Sequence, residues 1–171
     1  MNQKKQCLKW LSWLPAIIMM IVIYMFSSKP AVVSDGTSSP IADAILRVFE
    51  ALFGDIDPTE RVGWLETINV IVRKTAHITE YAILTIFISI PLWINQIKDK
   101  RIFIIAFITS VIYAGTDEFH QTFIEGRSGT LKDVGIDSIG VLLGCLFFYV
   151  IRKFYTKKAS KRKDAMGCER T

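Results

Sequence analysis

The 171-residue sequence has little cysteine and lacks the commonest catalytic motifs. Cys7 and Cys168 lie in basic ends and Cys145 lies in an apolar run, so no pair suggests the disulfide framework of a small secreted protein. The H-E-x-x-H motif of zinc hydrolases and the G-x-S-x-G motif of serine hydrolases are both absent. The chain also has no internal repeat and no low-complexity tract. These absences exclude a disulfide scaffold and leave the familiar hydrolase classes without support.

Hydrophobic residues are abundant and are gathered into runs. They make up 51% of the chain, charged residues make up 22%, and the mean hydropathy is +0.35. A helix that crosses a bilayer needs about 20 mainly apolar residues, and the runs lack the alternation of a strand. Four spans would leave no room for a separate soluble domain, which excludes an ordinary cytosolic enzyme and a disordered chain. We predict an all-α, polytopic membrane protein with four spans near residues 10–26, 81–94, 102–114 and 138–151.

The charges predict an orientation for these spans. The two ends and the loop between spans two and three carry 14 of the 21 basic residues and only three acidic residues. The rest of the chain carries seven basic and 13 acidic residues. Because Lys and Arg accumulate on the cytoplasmic side, we expect a multi-pass protein of the cell membrane with both termini in the cytoplasm.

The two ends of the chain are interpreted from composition. Residues 10–26 exceed a typical signal-peptide core and lack a clean cleavage site, so we expect an uncleaved anchor with Pro15 near its start or at a kink. We divide the chain into a membrane domain, residues 1–151, and a basic cytoplasmic tail, residues 152–171. The tail follows a span directly and is expected to contact anionic lipid, so the pI of 9.2 does not indicate nucleic-acid binding.

The segment of about residues 27–66 is predicted to be a long outer loop. Residues 34–39 predict a flexible turn, and Ser38-Ser39-Pro40 is typical of a helix start. An amphipathic helix should follow, because apolar residues then recur at helical spacing. Its apolar residues are Ile41, Ile45, Val48, Phe49, Leu52 and Phe53. Two placements stay open: this helix lies on the outer membrane surface, or it is a lid packed on the bundle.

Three polar clusters lie at the predicted outer ends of spans two, three and four. Arg73, His77 and Glu80 share one helix face because they are four and three residues apart. Since charges near a bilayer usually face a bundle interior or a wet cavity, we expect one shared site. Its expected ligand-binding residues are Arg73, Lys74, His77, Glu80, Tyr81, Asp117, Glu118, Gln121, Arg127, Asp133 and Asp137.

Several roles for these clusters stay open. Arg and Lys over an outward cavity suit a phosphate, and backbone amides of residues 126–130 could add donors. His77, Glu80, Asp117 and Glu118 are candidate acid–base residues. With His120, Asp133 and Asp137 they could instead assemble a divalent-metal site, although we assign no metal ligand, and the sequence does not identify a cofactor. Purely structural roles are the alternatives. Arg73 and Lys74 could extend to the lipid headgroups, and His77 and Glu80 could form a structural pair. The acids could also be neutralised by ion pairs with Arg73, Lys74 and Arg127. Gly140 and Gly144 are typical of close helix packing.

These residues resemble the motifs of the VanZ-like family. The similar segments are Arg73-Lys74-x-Ala76-His77-x-x-Glu80-Tyr81, Asp117-Glu118-x-x-Gln121-x-Phe123-x-x-Gly126-Arg127 and Asp133 with Asp137-x-x-Gly140-x-x-x-Gly144, together with Met25-Phe26-Ser27-Ser28. The resemblance covers about residues 25–150. It implies an integral membrane protein whose family namesake is associated with low-level teicoplanin resistance, and it implies no settled biochemical activity.

Three functions follow as hypotheses. The first is an outward-facing polar site that recognises an anionic cell-envelope lipid or precursor headgroup, with a link to glycopeptide resistance that the resemblance suggests. The second is a metal-assisted membrane hydrolase or transferase acting on a lipid-linked phosphate. The third is a structural or partner-binding membrane protein whose polar residues only lock the bundle. Whether the protein is an enzyme stays open at this point.

Overall fold

The protein is built from helices. The computed structural model describes the backbone of residues 3–168 and the side chains of residues 6, 7 and 9–158. This part of the chain contains six helices and no strand, which confirms the all-α prediction. The helices are α1 (Gln3–Leu11), α2 (Leu14–Ser27), α3 (Ala31–Phe53), α4 (Pro58–Ile94), α5 (Asp99–Gln121) and α6 (Leu131–Cys168).

Four helical stretches are long and apolar enough to cross a membrane, which confirms the number of predicted spans. They are Lys9–Ser27, Pro58–Ile94, Asp99–Gln121 and Leu131–Lys158. Pro15 lies in the first turn of α2, where its missing N–H costs no helical hydrogen bond. α6 continues without a break through residues 151 and 152, so the predicted boundary of the tail is one of composition and not of helix structure.

Span two is much longer than its apolar run predicts. α4 begins at Pro58 because the Asp57 side chain accepts the backbone N–H of Thr59 at 2.8 Å and Pro58 takes the first helical position. A helix of 37 residues is about 55 Å long, whereas the hydrocarbon core of a bilayer is roughly 30 Å thick. Part of α4 therefore lies outside the hydrocarbon core, in sequence that was predicted to be loop.

The predicted turn at residues 34–39 is wrong, because this segment is part of α3. Its hydroxyls bond within the helix: Ser38 and Ser39 donate to the carbonyls of Ser34 and Asp35, four residues earlier. Pro40 then lies inside the helix and not at its start. Helix initiation occurs at Pro30, and the Ala31 N–H donates to the Glu125 carbonyl at 3.1 Å.

α3 packs against α4 through Ser38, Ala42 and Leu46, which are buried and one turn apart. The predicted apolar stripe, which includes Ile41, Val48 and Phe53, is exposed on the other faces of α3. The helix is thus seated on the bundle, as the lid alternative requires. Its position relative to a membrane surface stays a prediction.

An ion-pair cluster holds the far end of α3 against the start of α4. Arg61 donates to Asp43 at 2.7 Å and to Glu50 at 2.9 Å, and Arg47 also pairs with Asp43 at 2.8 Å. The hydrogen bond from Arg61 lowers the pKa of the Asp43 carboxyl below its usual value. We call Asp43, Arg47, Glu50 and Arg61 the α3–α4 clamp.

α4 is the central helix and contacts α2, α3, α5 and α6. Its side chains Leu84 and Ile88 are buried in the core together with Ile23 and Val141. The same helices α4, α5 and α6 carry the polar clusters, so the packing of the core also fixes where those clusters meet.

Candidate functional site

The predicted polar clusters meet at one end of the bundle. Residues 73–80 of α4, residues 117–121 of α5 and residues 126–137 of the following loop and α6 form this region, which we call the polar end. A cavity of about 190 Å³ lies there, and we call it the polar cavity. Its predicted lining residues are Arg73, Lys74, His77, Glu118, Gln121, Arg127, Asp133 and Asp137, joined by Gly126, Ser128 and Ile136.

The basic residues of the polar cavity have different partners. Arg73 Nη1 donates to Asp35 Oδ1 at 2.8 Å, and Lys74 forms an ion pair with Asp133. Arg127 Nη1 donates to Gln121 Oε1 at 3.0 Å. Of the predicted neutralising pairs between the two sets of charges, only Lys74–Asp133 forms among the described residues.

Arg127 carries a charge that no carboxylate pairs with in the described part of the chain. Its Nη2 donates to the Ser34 hydroxyl at 2.8 Å and to the Phe26 carbonyl at 3.3 Å, and its buried Nε has no hydrogen-bond partner there. Burial lowers the pKa of the Arg127 guanidinium, and the nearby charge of Arg73 lowers this pKa further. Both effects would be offset by an anion bound beside Arg127.

Among the acidic residues that line the polar cavity, Glu118 has hydrogen-bond partners on both carboxylate oxygens and Asp137 does not. Glu118 accepts hydrogen bonds from Gln121 Nε2 at 2.9 Å and from the Thr130 backbone N–H at 3.1 Å. Thr130 was predicted to be one of the backbone donors to a phosphate, but its N–H donates to Glu118 instead. Asp137 is only 2% exposed, and its Oδ2 has no hydrogen-bond partner among the described residues. This oxygen keeps its capacity to accept a hydrogen bond, and Asp137 is a lining residue of the cavity.

Asp117 lies behind the cavity wall and does not line it. The Ser27 hydroxyl donates to Asp117 Oδ2 at 2.7 Å, and Gln121 Nε2 approaches the same oxygen at 3.2 Å. Because Gln121 also accepts from Arg127, a chain of hydrogen bonds joins α2, α5 and the loop after α5. Asp117 therefore positions Gln121 and through it Arg127.

A second cavity, of about 220 Å³, lies beside the polar cavity; we call it the side cavity. Arg73, His77 and Arg127 line both cavities. Glu80 lines only the side cavity, so it is separated from the other predicted acids. No hydrogen bond joins His77 to Glu80 in the described residues, and the buried His77 Nδ1 has no partner there. The predicted structural pair of these two residues does not form.

Two other predicted residues lie away from the cavities. Tyr81 is fully buried in the core beside Tyr113, and His120 stacks on Tyr24 with ring centroids 4.8 Å apart. His120 Nε2 lies 3.1 Å from the Ser28 hydroxyl.

Among the described residues, no group of three or more His, Cys, Asp and Glu side chains is arranged to hold a metal ion. The suggested seven-residue ligand set is thus not brought together as a metal centre.

Sequence reasoning missed the contribution of α3 and α2. Asp35, the partner of Arg73, and Ser34, the partner of Arg127, lie in the segment that was predicted to be a turn. Ser27 was noticed only as part of the span-one motif, although it holds Asp117. A helical register extended back to residue 31 would have placed Ser34, Ser38 and Ala42 on one face and would have signalled this packing.

Comparison with known proteins gives one match. A family model described as VanZ/LLP1 matches residues 12–152, which include most of each of the four spans and every residue of the polar end. No curated protein and no solved structure matches.

Proposed function

The chain belongs to the VanZ/LLP1 family, and from this premise we propose that it is a membrane protein whose polar cavity recognises the anionic headgroup of a cell-envelope lipid or lipid-linked precursor. Family membership and four candidate spans make it a multi-pass membrane protein. The headgroup is the part of the proposal that the site must support.

The main support is a set of three buried polar atoms at the cavity that lack partners among the described residues. They are Arg127 Nε, His77 Nδ1 and Asp137 Oδ2. An unsatisfied buried polar group costs roughly 1–3 kcal/mol, so three at one place are expected to serve a ligand. Arg127 supplies a positive charge without a direct carboxylate partner among the described residues, and this supports an anionic ligand.

The other cavity residues suit a headgroup with both a phosphate and hydrogen-bond donors. Arg73 and Lys74 add positive charge from α4, and Glu118 and Asp137 add acceptors from α5 and α6. A phosphate between the arginines would leave hydroxyl or amino groups of the same headgroup facing Asp137. A simple inorganic anion would use only half of this arrangement.

We propose the orientation that the charge asymmetry predicts: both termini in the cytoplasm and the polar end outside. In support, the start of the first span at Lys9, the end of the fourth span at Lys158 and the Ile94–Asp99 connection lie at the end of the bundle opposite the polar cavity. A fluorescent protein fused after residue 171 should then fluoresce, because it folds in the cytoplasm. Loss of fluorescence with full activity of a periplasmic or external reporter enzyme at the same position would contradict the orientation.

Binding to two lipids with equal chains tests the headgroup. We expect the wild type to prefer dioleoyl phosphatidic acid over dioleoylglycerol by at least tenfold in titrations in neutral nanodiscs. Arg127→Gln should remove this preference, whereas Lys132→Gln, which removes an exposed positive charge beside the cavity, should retain it. Equal affinity of the wild type for both lipids would refute the proposal.

A link to teicoplanin resistance is a separate extension of the same proposal. If a bound envelope precursor underlies resistance, expression of the wild type should raise the inhibitory concentration of teicoplanin and Arg127→Gln should not. If both proteins, at matched abundance, raised the inhibitory concentration equally, resistance would not depend on this site.

A further inference from the structure

We infer that the side cavity holds the hydrocarbon chain of the ligand while the polar cavity holds its charged group. This inference rests on the proposed function and deepens it, because it makes the ligand an anionic amphiphile and not a free phosphate. The side cavity is a feature of α2, α3 and α4 that headgroup binding alone does not require.

The two cavities have a common wall. Arg73, His77 and Arg127 line both of them, so a group bound to the arginines in the polar cavity lies next to the side cavity. Volumes of about 190 Å³ and 220 Å³ are each below the range of roughly 300–1,000 Å³ typical of small-molecule sites, but the two together lie within it. One ligand that occupies both cavities therefore fits better than one confined to either.

The side cavity offers apolar surface. Phe26, Ile41, Val72 and Ala76 contribute aromatic and aliphatic groups to its lining. Three lining hydroxyls are already used within the protein. Thr37 and Ser38 donate to helical carbonyls of α3, and Ser34 accepts from Arg127. Apart from Lys29 and Glu80, what remains for a ligand beyond the shared wall is mainly hydrocarbon contact.

The packing of the helices provides a route from the membrane. α2 and α3 each pack on α4 but make few contacts with each other, which leaves the side cavity between them. Phe26 on α2 and Ile41 on α3 line this cavity and are about half exposed, at 47% and 53%. A lipid chain can therefore enter between α2 and α3 while its headgroup reaches Arg127. Lys29, which lies 4.9 Å from the Phe26 ring, adds positive charge at this entrance.

A substitution that fills the side cavity separates the chain from the headgroup. Ala76 is an exposed residue that lines the side cavity, so Ala76→Trp adds a large ring at the cavity wall without altering a charged residue. Thr75→Trp is the matched control, because Thr75 is the exposed neighbour on α4 and lines neither cavity. The probes are dioleoyl phosphatidic acid, which has chains, and glycerol 3-phosphate, which has the same phosphate monoester without them. Binding to protein in neutral nanodiscs is followed by ³¹P NMR and native mass spectrometry.

We expect the wild type to bind phosphatidic acid at least tenfold more tightly than glycerol 3-phosphate. Ala76→Trp should lower the affinity for phosphatidic acid at least tenfold and leave that for glycerol 3-phosphate within twofold, and Thr75→Trp should change neither. If folded Ala76→Trp bound phosphatidic acid as tightly as the wild type, the inference about the chain would be overturned. The proposed headgroup site would not be affected by that result. A wild type that binds neither probe would overturn both.

Discussion

The α4–α6 interface consists of two regions that are packed in opposite ways. At Gly140 and Gly144 the helices touch backbone to backbone, since an added Cβ would lie 2.2 Å from the Ile78 carbonyl oxygen and 2.4 Å from that of Ala82. One turn away, Asp137 and His77 line the polar cavity and each has a buried atom without a partner in the described residues. The cavity therefore exists beside very close packing, and loose packing of these two helices does not account for it.

This contrast separates stability from function. Lipid chains are as apolar as the core, so close van der Waals packing is a principal source of helix association in a membrane. Unsatisfied polar atoms in a bundle lower stability and are retained where they serve binding. We therefore expect the close-packed region to determine folding and the polar end to determine ligand recognition.

Breaking the close contact should have the largest effect. Gly140→Val forces branched carbons into the Ile78 backbone, which cannot shift without moving α4, and we expect a loss of about 3 kcal/mol or more. Gly135→Ala is the control, because its added Cβ has nothing within 4 Å and alanine favours the helix. Thermal unfolding in detergent should show a much lower midpoint for Gly140→Val alone. Equal midpoints would show that this contact does not determine folding.

Replacing an unpartnered acid should separate the two properties. Asp137→Leu removes the buried oxygen that lacks a partner, so we expect stability to rise by about 1 kcal/mol and the affinity for dioleoyl phosphatidylglycerol, whose headgroup carries hydroxyl groups, to fall at least tenfold. Asp133→Leu should instead lower stability, because it breaks the ion pair with Lys74. Unfolding and lipid titration on both variants check this. Destabilisation by both substitutions would mean that Asp137 has a structural role.

Freeing Arg73 should strengthen binding. Asp35 accepts from Arg73 at 2.8 Å and competes with an anionic ligand for that guanidinium. Asp35→Asn should therefore raise phosphatidic acid affinity by about three- to tenfold, an energy of the size of one ordinary hydrogen bond. Asp55→Asn, an exposed acid in the connection between α3 and α4, is the charge-matched control. Weaker binding by Asp35→Asn would show that Asp35 orients Arg73 for the ligand.

The smallest effect is expected from acid at the α3–α4 clamp. Because Arg61 lowers the folded-state pKa of Asp43, the clamp contributes fully above the unfolded value of 3.8 and is lost as pH falls through the lower folded value. Hydrogen exchange near residue 43 should thus accelerate, relative to a core segment of α5, below about pH 4. Asp43→Asn should show that faster relative exchange already at neutral pH. If the ratio of the two exchange rates in the wild type did not change with acid, the clamp would not stabilise this part of the fold.

The fold was predictable to the extent that apolar runs determine it. The four runs gave four spans, but the apolar signal could not reveal that α4 begins at Pro58, because its first residues Thr59, Glu60 and Arg61 are polar and its start depends on the capping Asp57. The first turns of α3 were missed for a related reason. Serine and threonine favour turns in isolation, whereas here their hydroxyls bond to carbonyls of the same helix.

The candidate site was predictable in membership but not in pairing. Helical spacing and span ends brought Arg73, His77, Arg127 and Asp137 to one cavity. The partner of Arg73 could not be found, because Asp35 comes from a helix whose register depends on packing against α4. For the same reason, spacing alone could not show that Asp117 lies behind the cavity wall, bonded to Ser27.

Native mass spectrometry of the protein extracted with its own lipids tests the central claim most directly. Wild type and Arg127→Gln would be compared at matched folded yield, with Lys132→Gln as the charge control. We predict a co-purifying phosphate-containing lipid on the wild type and on Lys132→Gln, and its loss from Arg127→Gln. Equal occupancy by the same lipid on all three proteins, or no bound lipid on the wild type, would contradict a headgroup site at the polar end.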